Sequence, residues 1–203
     1  MTTTRQGRRT WDEYLSEGTG PVQDDFLELT RTTRKSRHYC NDIIWGNLQT
    51  PDYARAVLRR VVDFHETPDD IEAGVAARTA RAQFMGQENR TYHAVLGEQA
   101  LRTNLGGVEV MRGQLVRLLD AFELPGLKLG VIPSRAELAL FPGHCFSIFD
   151  GLSVEVETYS AELIITDKDE VALYEKAFRL LEGSALYGEE ARALIEAELS
   201  AIS

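Results

Sequence analysis

Residues 144–166 read His-Cys-Phe-Ser-Ile-Phe-Asp-Gly-Leu-Ser-Val-Glu-Val-Glu-Thr-Tyr-Ser-Ala-Glu-Leu-Ile-Ile-Thr. Asp150-Gly151 stands between two apolar-rich runs, and both residue types tolerate the positive φ of a two-residue turn. The spacing predicts a hairpin. On its second arm, alternation sends Leu152, Val154 and Val156 to a core face and Ser153, Glu155 and Glu157 to the other. A turn at Tyr159-Ser160 returns the chain through residues 161–166 as a third strand. Three strands joined by short turns run antiparallel, and that sets the fold class.

Working outward, Leu127–Ile132 and Thr91–Gly97 read as two further strands. Between them lie a short helix over residues 98–104, a break at Gly106-Gly107, and the clearest amphipathic helix of the chain. That helix spans residues 108–123, with Met111, Leu115, Leu118, Leu119 and Phe122 on one stripe. Beyond the meander, Asp167 caps a helix carrying Val171, Tyr174, Phe178 and Leu181. A last helix after Gly188 carries Ala191, Ile195, Leu199 and Ile202. Upstream, helices are expected over residues 11–17, from Pro21 with Val22, Phe26 and Leu29, and from Thr67-Pro68-Asp69-Asp70 to Met85. Residues 36–45 read as extended. The order implies an α+β fold: a largely antiparallel sheet of about five strands, helices packed around it, and a helical C-terminus. Residues 1–20 are expected as a flexible segment and residues 21–203 as a single domain.

One more stretch stands out. Residues 44–62 read Ile-Ile-Trp-Gly-Asn-Leu-Gln-Thr-Pro-Asp-Tyr-Ala-Arg-Ala-Val-Leu-Arg-Arg-Val. Gly46-Asn47 can turn, Thr50 is a good N-cap, and Pro51 sits at the first helical position, where its missing N–H costs nothing. Tyr53, Val57, Val61 and Phe64 follow at helical spacing. Leu48-Gln49-Thr50-Pro51-Asp52-Tyr53-Ala54 resembles the Leu-Gln-Thr-Pro-x-Tyr-Ala signature of an effector domain. That domain follows the helix-turn-helix in many bacterial Xre-type regulators. Gly46-Asn47 depart from the Pro-Gly-Leu that precedes it there. The resemblance continues through Val75-Ala76-Ala77-Arg78, Val95-Leu96-Gly97-Glu98-Gln99-Ala100-Leu101-Arg102, Gly106-Gly107, Gln114-Leu115, Val131-Ile132-Pro133, Val156-Glu157-Thr158 and the helix near Tyr174. It implies an antitoxin-like, ligand-sensing or partner-binding domain. Residues 1–203 hold no stretch that reads as the helix-turn-helix itself, so a stand-alone domain is expected.

Composition narrows the function classes. The chain has 203 residues, 43% hydrophobic and 27% charged, with a formal net charge of −10. Such a field repels a phosphate backbone unless basic residues segregate. Arg5, Arg8 and Arg9 read as part of a tail, and Arg31, Arg34, Lys35 and Arg37 as a solvated helix end, so no direct nucleic-acid partner is expected. The N-terminus lacks the apolar core of a secretion signal, and no apolar run is long enough to span a bilayer. A cytoplasmic protein without a membrane partner is expected. Cys40 and Cys145 read as free thiols.

The familiar nucleotide and metal motifs are absent, and no cofactor is expected. His38, Cys40, His144 and Cys145 suit zinc by type. Adjacent strand residues such as His144 and Cys145 point to opposite faces, however, so no metal is expected. Glu155 and Glu157 share one strand face, a spacing compatible with acid–base work but read most simply as the wet side of a half-buried strand. Glu98 opens a helix where the dipole favours an acid, and it can pair with Arg102 four residues on. Tyr92 and His93 point to opposite faces just upstream.

The expected ligand site therefore lies between the turn and the strand end: Trp45, Asn47, Gln49, Tyr53, Tyr92, Glu98 and Arg102. Its ligand is a small molecule or a small partner protein. The alternative is a cofactor-independent cyclase or isomerase of specialised metabolism using the same pocket, with Glu98, Glu157 and His93 as its catalytic candidates. The apolar stripe of the last helix could instead pair with a second copy, so a homodimer is expected.

Overall fold

The computed structural model describes residues 7–87 and 89–202. Among them the chain forms one mixed sheet of eight strands with helices on both faces. The strands are β1 (Gly7–Thr10), β2 (Lys35–Cys40), β3 (Thr91–Gly97), β4 (Leu127–Ile132), β5 (Phe146–Phe149), β6 (Ser153–Glu157), β7 (Ala161–Ile165) and β8 (Leu186–Tyr187), in the order β1-β7-β6-β5-β2-β3-β4-β8. The helices are α1 (Trp11–Tyr14), α2 (Thr19–Thr32), α3 (Pro51–His65), α4 (Ile71–Ala80), α5 (Val108–Ala121), α6 (Lys168–Glu182) and α7 (Gly188–Ala201).

The mixed, mostly antiparallel character holds: among the described residues only β2–β3 and β3–β4 pair in parallel. The expectation of about five strands does not. β1 and β8 are too short, at four and two residues, to leave a periodic signal. β2, Lys-Ser-Arg-His-Tyr-Cys, is buried at Ser36 and His38 as well as at Tyr39, so it lacks the usual alternation. Residues 1–6 of the expected flexible segment, with Arg5, lie outside the described residues. From Gly7 onward that segment enters the sheet, where Arg9 pairs with Glu162 of β7.

The hairpin forms, with one residue displaced. Asp150 and Gly151 adopt φ of 53° and 67°, and Leu152 N–H donates to the Phe149 carbonyl at 2.9 Å. Phe149 pairs with Ser153, which leaves Leu152 bulged out and exposed rather than on the core face. The Asp150 carboxylate accepts from the Lys35 N–H at 2.7 Å, fastening the turn to the start of β2.

The sheet separates two layers. On one face α6 covers Tyr39, Val95, Phe146, Ile148, Val154 and Val156 with Val171, Phe178 and Leu181. On the other, α5 and α7 cover β3 and β4, burying Met111, Leu115, Leu118, Ala191 and Ile195 against Leu96, Leu129 and Val131. The stripe on which a homodimer was expected is therefore buried within its own chain, and that argument for pairing lapses. α2 and α4 lie over the remaining strands, and α3 packs on α4 through Ala54, Leu58, Val62, Ile71 and Val75 while its Tyr53 and Val57 join the core over β3 and β4. Gly74 permits this close stacking: a Cβ there would stand 2.5 Å from Thr19 Oγ1 and 2.9 Å from Leu58 Cδ1. Asp70 locks the pair by accepting from the N–H groups of Thr19 and Gly20 at 2.6 Å each. No helix among the described residues is long and apolar enough to cross a membrane.

Candidate functional site

The face of β2, β5, β6 and β7 beneath α2 and α4 is buried and polar. Strand register explains why these side chains meet. His38 pairs with Ser147, Ser147 with Glu155, and Glu157 with Glu162, so their side chains alternate onto one face. His38, Glu155 and Glu162 are all buried. Glu157, at the end of β6, is exposed.

Four groups descend on this face from above. Gln23 comes from α2, Arg78 from α4, Arg81 from the 3-10 turn Arg81–Phe84 that continues it, and Gln49 from the loop before α3. Arg78 Nε donates to Gln23 Oε1 and its Nη1 to Gln49 Oε1, each at 2.9 Å. Arg81 Nη2 also donates to Gln23 Oε1, and its guanidinium lies 5.0 Å from the centre of the Phe26 ring. Gln49 completes its amide by donating to the Ile44 carbonyl at 2.7 Å. Neutral amides thus orient both arginines.

Burial shapes the charges. It pulls the Arg78 and Arg81 guanidinium groups down to about 10 and about 9, Arg78 itself contributing to the fall at Arg81. Burial pushes the Glu155 carboxyl up to about 8, helped by Glu162 and Glu157. Burial raises Glu162 too, although Arg9, 2.7 Å away, works in the opposite direction. His38 is held neutral, down to about 3, by desolvation. Its two ring nitrogens meet Ser147 Oγ and Ser36 Oγ, each at 2.8 Å, and its ring stacks on Trp45 at 4.0 Å.

The residues singled out by sequence divide into three places. Gln49, with Trp45, belongs to this polar layer. Tyr53 and Tyr92 are core aromatics, Tyr92 lying 5.8 Å from Trp45, and Asn47 is buried in the turn before α3. Glu98 and Arg102 form their ion pair at the end of β3, and Arg102 reaches on to Glu198 of α7 at 2.6 Å. Burial opposes the Glu98 charge, but the Ser134 N–H and side chain and Arg102 outweigh it and hold the carboxyl below its ordinary range. That pair ties three elements together.

His93 lies on the opposite face, in a shallow open groove of about 450 Å³ that also holds Lys128 and Glu182. Its Nε2 is 2.9 Å from the Tyr187 hydroxyl and its Nδ1 3.3 Å from Glu182. The three catalytic candidates therefore do not converge: Glu157 borders the polar layer, Glu98 closes a strand end, and His93 faces α6. Gln23 and Arg81 carried no sequence signal beyond the i, i+3 spacing of Arg78 and Arg81 on a small-residue helix. Among the described residues no group of three or more His, Cys, Asp or Glu is placed to hold a metal ion.

A family model described as "Domain of unknown function (DUF5753)" matches residues 23–197, and the chain belongs to that family. No curated protein matches it. Among solved structures it is similar to NucT from Helicobacter pylori, at 8% identity and TM-score 0.47 over 91% of this chain and 99% of that one. It is similar also to Nuc from Salmonella typhimurium, a phospholipase D family member, at 12% identity and TM-score 0.47 over 91% and 97%. TrmBL2, an archaeal chromatin protein, matches at 13% identity and TM-score 0.43, over 92% of this chain and 56% of that one. Likenesses this distant carry no argument about what the chain binds.

Proposed function

We propose that this member of the DUF5753 family is a small-molecule-binding domain of the kind that resembles Xre-type regulator effectors. Its site is the polar layer under α2 and α4. One observation supports this above the rest. Gln49, Arg78 and Glu157 lie far apart in sequence, each inside a stretch that carries the resemblance, and they converge at one place. Arg78 donates to Gln49, and Glu157 is near enough for its charge to act on Arg78. A structural core would fill this volume more cheaply with apolar groups, so a polar layer between two helices and a sheet suits a ligand.

A screen by thermal and urea unfolding tests the reading. A ligand present at a hundred times its Kd adds about 2.7 kcal/mol, and the gain should vanish when Arg81 is replaced by methionine. If no compound in a broad library stabilises the chain, while a small protein does, the domain binds a partner instead.

A second reading, a cofactor-independent enzyme, is favoured by Glu155. A carboxyl near 8 is protonated at neutral pH and can serve as a general acid. Mass spectrometry of any stabilising compound after incubation separates the two. Turnover that Glu155→Gln abolishes while binding persists would make the chain an enzyme.

A further inference from the structure

The polar layer contains charged groups that do not meet. Arg81 and Glu155 are both buried, and among the described residues neither Arg81 Nε nor Glu155 Oε2 has a hydrogen-bond partner. Arg78 and Arg81 share the oxygen of Gln23, a neutral group, and among the described residues neither is hydrogen-bonded to a carboxylate. Yet Glu155 and Glu157 lie close enough for their charges to act on Arg81. Arg9 already answers Glu162, so it is not available to the others. One guanidinium donor and one carboxyl oxygen, Arg81 Nε and Glu155 Oε2, thus lie unmatched in the same buried layer. Unmatched buried donors and acceptors of this kind are strongly unfavourable unless something completes them.

The geometry points to a ligand that lays a carboxylate against the Nε edge of Arg81, beside Arg78, and turns a hydrogen-bond donor, an ammonium or a hydroxyl, to Glu155. This rests on the small-molecule reading above and narrows it to amino acids, hydroxy acids or molecules ending in such a group. Arg81 Nη2 is taken by the side-chain and backbone oxygens of Gln23, so the Nε–H is the donor left to make a charge-assisted bond to a carboxylate oxygen. Gln23 fixes both guanidinium groups in place, and Phe26 supports the Arg81 plane. A phosphate dianion fits less well, because Glu157 and Glu162 border the same layer and repel a second negative charge.

The test uses the whole chain and simple probes at matched ionic strength: sodium acetate, methylammonium chloride, glycine, sodium phosphate and sodium chloride. Unfolding midpoints are followed by tryptophan fluorescence in the wild type, Arg81→Met and Glu155→Gln. Acetate should raise the midpoint above chloride in the wild type and bind roughly tenfold or more weakly to Arg81→Met. Glycine should exceed acetate and methylammonium together, and Glu155→Gln should lose that surplus. Phosphate should shift the wild type and Arg81→Met equally. Should Arg81→Met fail to fold, Arg81→Lys, which keeps the charge but loses the planar edge, gives the same reading. Acetate no better than chloride, or equally effective in both arginine variants, would mean that only water bridges these groups, and the inference falls. In that case a neutral stabiliser from the broader screen would leave the small-molecule reading standing without the carboxylate.

Discussion

Strands β2, β5 and β6 have two faces, both largely withdrawn from water. Towards α6 they present Tyr39, Phe146, Ile148, Val154 and Val156. Towards α2 and α4 they present Ser36, His38, Ser147, Ser153 and Glu155. The first face is what stability alone would select, since each large side chain buried there contributes about 1.5–3 kcal/mol. The second contributes little by burial and retains charges that an apolar layer would avoid. A chain able to build the first surface has the means to build the second the same way. On the reading proposed above the second face serves recognition, and the contrast can be broken from either side.

The largest effect is expected on the apolar side. Phe178 is fully buried and touches both Phe146 and His93, so Phe178→Ala should cost about 3–5 kcal/mol in urea unfolding. It should leave acetate binding to the remaining folded protein unchanged.

Next comes the pH dependence of the polar side. Because the folded Glu155 carboxyl titrates at about 8, against 4.5 ordinarily, the folded state binds more protons than the unfolded one between those values. Its contribution is complete below about 4.5 and is lost as pH rises through 8. Each unit is about 1.4 kcal/mol, so the stability difference between wild type and Glu155→Gln should widen by on the order of 3 kcal/mol from pH 5.5 to 8.5. The glutamine variant should become the more stable one. Parallel profiles for the two proteins would place Glu155 in water.

A smaller effect separates structure from recognition at Arg81. Arg81→Met removes an unpaired buried charge while Gln23 keeps its bond from Arg78, so the free protein should gain about 1–2 kcal/mol. A loss of similar size would make Arg81 a structural strut.

The smallest change tests a helix that borders neither comparison directly. The Thr50 side chain accepts from the Tyr53 N–H at 3.2 Å at the start of α3. Thr50→Ala should cost about 1 kcal/mol, and Thr50→Ser should recover most of it, with no effect on the acetate response.

Local signals made much of the fold legible. The capped α3, the striped α5 and α6 and the Asp150-Gly151 turn each follow from a few residues and their spacing. The polar layer was not legible, for a physical reason. Ser153-Val154-Glu155-Val156-Glu157 alternates as a strand with one wet side would, and nothing local reveals that α2 and α4 cover that side. Gln49 and Arg78 could be singled out through the resemblance, but their contact depends on α4 stacking at Gly74, a packing event between distant segments. Glu98 and Arg102 paired as their spacing implies, at a strand end rather than in the layer.

The ends of the sheet have a colloidal consequence. A long exposed edge strand is a template on which another copy can add its own backbone. Here one margin is the four residues of β1, with Arg8 and Arg9 on it, and the other is the two residues of β8, running directly into α7. Each terminal strand therefore offers a neighbouring copy few backbone groups to pair with.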